Sequence, residues 1–412
     1  MHYKEQKQAW FLDAVDIYCN AVKSLSAGLA QSDVRSRGFA TFGDYLGNHT
    51  VSPHFNSLLC EMNKLKADLA TVEYCVLIKG SSFTVRKYQA ETDYSAEVER
   101  TFGKFKQGAV KDYSVKFSVS ADMNHIEAKI LEFVTKLYPE IFRALDEFCG
   151  RNADFMDRTI AIFDREVQFY LGYLGHVAAL KGAGLSFCYP HLTDEDREAY
   201  VRDGFDIALA GKLVKENSSV VCNDFDLTGA ERILVVSGPN QGGKTTFARA
   251  FGQMHYLASI GCPVPGKEAR LLLFDRLLTQ FEKEEKVENP RGKLEDDLVR
   301  IHAILDRATA RSIIIMNEIF TSTTIQDEIF LSARVMEKIV ARGALCVWVT
   351  FVDELASFGR QVVSMVSTVV PENPALRTFK ILRQPADGLA YAMAIAQKHG
   401  LTYDLLRKRI GS

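Results

Sequence analysis

No apolar run in this chain is long enough to span a bilayer. The longest, such as ALCVWVTFV from Ala344, fall far short of the ~20 residues a membrane helix needs. The opening MHYKEQKQAWFLDAVDIYCN is too polar for a secretory signal. These two absences predict a cytoplasmic protein without membrane contact. No CxxC pair occurs, and the eight cysteines (Cys19, Cys60, Cys75, Cys149, Cys188, Cys222, Cys262 and Cys346) lie apart from any histidine cluster. That spacing argues against a zinc site and a disulfide framework, and the thiols are read as packed apolar groups. A large charge of one sign is missing too. The formal net charge is −2, so no global basic field advertises nucleic acid, and such contact must come from a local patch. There is no internal repeat, although FEKEEKVENPRGKLEDD from Phe281 is a charged loop segment.

What is present is ordinary globular composition: 412 residues, 47% apolar and 25% charged, enough to bury a sizeable core in two or three domains. Up to Lys181 the pattern is mainly helical. Leu131, Val134, Leu137 and Ile141 recur at helical spacing, as do Phe155, Ile160, Phe163, Val167, Tyr170 and Leu174, predicting two long helices with core-facing stripes. His125, His176 and His255 fall on such stretches and are read as packed histidines. Between the helices, CVLIKGSSFTVRKY from Cys75 and DYSVKFSVS from Asp112 predict a small strand pairing. From about Phe187 the texture changes to β-rich runs (ILVVSG, SIIIMNE, ALCVWVTF) alternating with helical segments. That order predicts an α/β domain with a largely parallel sheet. The expected division is residues 1–188 and 189–412.

Gly238, Pro239, Asn240, Gln241, Gly242, Gly243, Lys244 and Thr245 fit GxxxxGK[ST], after a predicted strand and at the opening of a predicted helix. This is the context of a phosphate-binding P-loop. Glycines let backbone N–H groups turn inward around phosphates, and the helix N-terminus adds partial positive charge. Thr246 extends the nucleotide-binding set. Lys244 is expected to reach the β- and γ-phosphates of ATP, and Thr245 to ligate Mg²⁺. The run RSIIIMNE from Arg311 places Asn317 and Glu318 at the end of a second buried strand. Glu318 is the candidate for activating water. Asn317 stands at the metal position, where an aspartate is usual, and supplies an acceptor oxygen without negative charge.

The second half, from Tyr189 to Ile410, resembles the ATPase domain of the MutS family of DNA mismatch-repair proteins. The resemblance rests on NDFDLTGAERILVVSGPNQGGKTTFARAFGQMHYLASIGCPVPGKEARLLLFDRLLT, on NEIFTSTTIQDE, and on DGLAYAMAIAQKHGLTYDLLRKRI near the C-terminus. It implies an α/β P-loop NTPase of the ABC type behind a mainly α-helical core/lever domain, with the closing segment forming a homodimer contact. It also implies departures. Phe351 replaces the family's histidine after a late strand, which predicts slow turnover. Gly292 and Lys293 align with the serine-containing segment that reaches a partner's nucleotide. Val220 aligns with an aromatic that stacks on adenine. Residues 1–188 are expected to leave no room for a mismatch-reading domain, and no F-x-E motif is found.

For DNA, the segment RTFGKFKQGAVKDYSVKF carries five basic residues against one acid, with aromatics interleaved. Arg100, Lys104, Lys106 and Lys111 are candidate phosphate contacts. A solvated loop whose aromatics pack on the helices reads equally well. The leading functional expectation is an ATP-hydrolysing, DNA-binding MutS-like clamp or damage sensor on duplex, mismatched or branched DNA. The alternative is a nucleotide-sensing interaction protein with little hydrolysis. A small-molecule kinase lacks any identifiable acceptor site.

Overall fold

The computed structural model describes residues 4–80, 82–90, 97, 100, 101, 124–194, 198–281, 292–386 and 401–410. The chain forms two compact units, Met1–Arg165 and Glu166–Ser412, divided earlier than residue 189.

The first unit is built on helices α1 (Lys4–Gln31), α2 (Arg37–Thr50), α3 (Pro53–Ala70), α4 (His125–Leu137) and α5 (Pro139–Arg151). Their starts are written in the sequence. Ser36 and Ser52 accept the backbone N–H of Phe39 and Phe55, and Pro53 sits at the first turn, where its missing N–H is not needed. Asn124 and Glu127 form a reciprocal capping box. The helix predicted across Leu131–Ile141 is broken instead: Pro139 restricts Tyr138 to φ −127°, ψ 53°, which ends α4 and starts α5. Leu12, Val15, Cys19, Phe55, Met62 and Phe148 meet in one core. The run from Cys75 folds back on itself as an antiparallel hairpin, β1 (Tyr74–Lys79) with β2 (Ser82–Lys87). The run from Asp112, with which a pairing was expected, lies outside the described residues.

Helix α6 (Arg158–Gly182) corrects the core reading of its stripe. Of that stripe Ile160 is buried and Phe155, Phe163 and Val167 are half-buried, but Tyr170 and Leu174 are exposed. Two histidine expectations also change, since His125 and His176 are exposed and only His255 is buried. Among the cysteines, Cys60 is exposed.

In the second unit come β3 (Phe187–Cys188), β4 (His191–Thr193), β5 (Ala199–Gly204), α7 (Ile207–Lys215), β6 (Asn223–Leu227), β7 (Ile233–Ser237), α8 (Lys244–Ser259), β8 (Val264–Pro265), β9 (Glu268–Leu272) and β10 (Leu277–Gln280). They are followed by α9 (Lys293–Arg307), β11 (Ile313–Asn317), α10 (Ile325–Arg342), β12 (Leu345–Val349), β13 (Val362–Val370), β14 (Asn373–Arg383) and α11 (Tyr403–Ile410). Six strands form one sheet in the order β10-β11-β12-β7-β13-β14, parallel except for β14. A smaller sheet, β4-β9-β5-β6, packs in the same unit.

Strands β7, β11 and β12 are buried at every position, as a parallel sheet covered on both faces requires. Alternate residues serve the two sides. Leu234, Val236, Ile315 and Val349 pack with Phe247 and Phe251 of α8. Val235, Ile314, Met316 and Trp348 pack with Ile304 of α9 and Met336 of α10. The register aligns Asn317 with Val349 and Val349 with Val236, so β11 and β7 end at one level. Ligands of open α/β sheets bind beyond such carboxyl ends.

Candidate functional site

Past the end of β7 the chain turns in a loop whose glycines take left-handed backbone and leave room for a close neighbour. Gly238 lies at φ 108° and Gly243 at φ 91°, the left-handed region that favours glycine. Behind the loop stands buried Ser367 of β13. A Cβ on Gly238 would come 2.8 Å from its carbonyl oxygen, and one on Gly242 would collide with its hydroxyl. That hydroxyl donates to the Gly242 carbonyl at 2.7 Å. Gly243 opens α8 with no side-chain cap, leaving an N-terminus with unsatisfied N–H groups, a ready anion site.

Lys244 is 4% exposed and folds back on the loop, donating to the carbonyls of Gly238 at 2.9 Å and Pro239 at 3.0 Å. Its ammonium lies 4.2 Å from the ring centre of Phe351. Burial pushes its pKa down to about 8, opposed by the charge of Glu318.

The loop lines a cavity of about 430 Å³ together with Lys244, Thr245, Thr246 and Glu318. The far end of the cavity is apolar: Phe205, then Leu209 and Leu213 one helical turn apart on α7, with Val220 and Val221. Phe379 of β14 also lines the cavity and stands beside Gly243. Its carbonyl accepts from Asn223 Nδ2 at 3.1 Å, while Asn223 Oδ1 accepts from Ile381 N at 2.8 Å. Asp206 ties the apolar end to the loop helix. It caps α7 through Leu209 N at 2.7 Å and accepts from Arg249 and Gln253 of α8.

At the end of β11, Asn317 is 6% exposed, and its Oδ1 is buried without a hydrogen-bond partner. Such an acceptor is costly unless something donates to it or is ligated by it. Glu318 follows at φ 51° and Phe320 at φ 62°. This backbone is held by Glu318 N donating to Val349 O at 2.9 Å and by Phe320 N donating to Asp297 at 3.4 Å. Asp297 is itself buried and accepts from Gln280 at 3.0 Å. The Phe320 ring is fully buried.

The structure thus brings Gln241 to Thr246 and Glu318 to one cavity, with Asn317 the residue before Glu318. Of the candidate DNA contacts, Arg100 is exposed, whereas Lys104, Lys106 and Lys111 lie outside the described residues, as does the closing segment 387–400. Lys293 begins α9 and reaches Thr321 Oγ1 at 3.4 Å. Sequence reasoning missed Phe205, Leu209, Leu213, Ser367 and Phe379. A Leu209/Leu213 stripe was visible as helical spacing, but nothing local says what it faces.

A family model, MutS domain V, matches residues 234–408. The chain is 26% identical over 227 residues to the DNA mismatch repair protein MutS of Orientia tsutsugamushi, covering 54% of this chain and 25% of that protein. It is 29% identical over 200 residues to the protein of the same name from Zymomonas mobilis, covering 48% and 23%. With that of Shouchella clausii it shares 26% over 296 residues, covering 69% and 32%. The matched stretch spans about a quarter to a third of these relatives. Among the described residues, no helix is long and apolar enough to cross a membrane.

Proposed function

This chain is a MutS-family protein by its domain V, and from that premise we propose that it binds ATP with Mg²⁺, hydrolyses it, and couples the nucleotide state to DNA. One observation carries the reading: a single cavity collects an uncapped helix N-terminus, the P-loop lysine and the carboxylate of Glu318 from the end of β11. The phosphates would lie against the N–H groups of residues 241–246, and the base against Phe205, Leu209, Val220 and Phe379. Glu318 takes a proton from the attacking water. The donors available to Mg²⁺ are the Thr245 hydroxyl and the Asn317 amide oxygen. Oxygen donors suit a hard cation, and the unpartnered Asn317 Oδ1 fits that use. Held by these residues, the ion would draw off negative charge developing on the phosphates.

The finer roles extend this proposal. Residues 1–188 act as a core/lever domain that holds duplex, mismatched or branched DNA, with Arg100, Lys104, Lys106 and Lys111 neutralising phosphates. The closing segment joins two copies in a homodimer, in the cytoplasm. A second reading, a nucleotide sensor with little hydrolysis, is favoured by the uncharged Asn317 and by the aromatic ring over Lys244. ATP turnover with and without homoduplex, mismatched and branched DNA, at two salt concentrations, tests both. DNA-stimulated turnover whose binding weakens with salt supports the clamp. Tight nucleotide binding without turnover leaves the sensor. Absence of nucleotide binding refutes the two together.

A further inference from the structure

The buried ammonium of Lys244 is already occupied. An ammonium has three N–H donors and no acceptor. Two are spent on the Gly238 and Pro239 carbonyls, and the face of Phe351 covers the group at 4.2 Å, within the range of a favourable cation–π contact. With the residue only 4% exposed, little of the ammonium is open to the cavity it lines. A phosphate oxygen can reach Lys244 only by replacing one of these three.

The carbonyls are poor candidates to leave. They belong to the turn that Ser367 buttresses through the Gly242 carbonyl, and Arg377 holds the neighbouring Asn240 carbonyl at 3.0 Å. Phe351 is different. It lies beyond the end of β12 and is 46% exposed, so its ring can turn outward into solvent. Resting on the ATP-site reading above, we infer that Phe351 is a specificity-determining residue that competes with the β- and γ-phosphates for Lys244. The ring holds the lysine against the loop and must yield to a nucleotide that carries those phosphates. A nucleotide ending at the α-phosphate makes no such demand, so Phe351 lowers affinity for di- and triphosphates selectively.

The size of the effect follows from the contact. A cation–π interaction in a partly desolvated place is worth a factor of about two to thirty in an equilibrium constant. Its dependence on the ring is distinctive: tryptophan binds a cation more strongly than phenylalanine or tyrosine, and leucine keeps the bulk but has no π face.

The test is displacement of a fluorescent ADP derivative from the whole chain by ADP, by a non-hydrolysable ATP analogue and by AMP. The proteins are wild type, Phe351→Leu, Phe351→Tyr and Phe351→Trp, with melting temperatures confirming that each is folded. The expected result is tighter binding of ADP and the ATP analogue by Phe351→Leu, about two- to thirtyfold. Phe351→Tyr should match wild type, Phe351→Trp should bind both more weakly, and AMP should be unaffected. Weaker or unchanged polyphosphate binding by Phe351→Leu overturns the inference while leaving ATP binding standing. An equal change for AMP overturns it as well, because the ring would then act on the base or the fold. If no variant binds any nucleotide, the ATP-site reading itself has failed.

Discussion

His255 offers a sharp test of the packing around the loop helix. It lies on α8 with no exposure to solvent, its ring against Phe225 and Phe251. Nδ1 donates to the Phe251 carbonyl at 2.9 Å, and Nε2 is buried without a partner. The neutral ring therefore fits, whereas a second proton on Nε2 would find no acceptor. Burial drives the pKa down from 6.5 to about 4. The unfolded chain then takes up a proton between these values that the folded chain refuses, so stability falls as pH drops from about 6.5 towards 4 and levels off below. Full passage through that window costs about 3 kcal/mol, and at pH 5 about 2 kcal/mol of it is already lost. His255→Leu removes this contribution and little else of the packing. Urea unfolding at pH 7 and pH 5 should show wild type losing about 2 kcal/mol more than the variant between the two pH values. Carboxylates titrate equally in both proteins and cancel. Parallel losses would refute the reasoning, because His255 would then be able to protonate within the fold.

Three further outcomes are expected. Glu318→Gln keeps nucleotide affinity and lowers turnover at least about a hundredfold, since an amide cannot accept the water's proton; unchanged hydrolysis in a phosphate-release assay would move the base elsewhere. Asn317→Asp lowers the Mg²⁺ concentration for half-maximal activity, because a carboxylate supplies the charge a hard cation prefers; a metal titration without a shift would remove Asn317 from the metal site. Asp206→Ala strips the cap from α7 and the partner from Arg249, destabilising the second unit by about 2 kcal/mol, and a denaturant midpoint equal to wild type would contradict that accounting.

The residues that announced the site did so because their pattern is contiguous. Strand, glycine turn and helix follow one another from Ile233 to Ser259, so period and turn chemistry can be read together, and the same holds for β11 running into Asn317 and Glu318. The apolar end of the cavity is of another kind. Phe205, Leu209, Val220 and Phe379 come from separate segments, and their meeting depends on β14 lying antiparallel at the edge of the sheet beside β13. No periodicity carries that. Ser367 shows the same gap, since a buried serine looks like any strand residue until Gly238 and Gly242 are found against it. Helical spacing, in turn, identifies a stripe but not its cover. It placed Val134 and Ile160 in the core, and by the same rule it promised burial to Leu174, which α6 leaves exposed. The contact of Lys244 with Phe351 was hidden for a further reason: it joins the ends of two strands that are far apart in the chain and adjacent in the sheet.

The backbone at Phe320 sets two demands of the fold against each other. A side chain at φ 62° costs about 1–2 kcal/mol that glycine would recover. Its ring, however, is fully buried among the residues of α9 and α10, and emptying such a place costs about 3–5 kcal/mol. Replacement by glycine is therefore a loss, measurable as a lower melting temperature for Phe320→Gly, although the local conformation would be relieved. The position acts as a lock: the buried ring holds the backbone beside Glu318 in a conformation that the local chain alone would not keep.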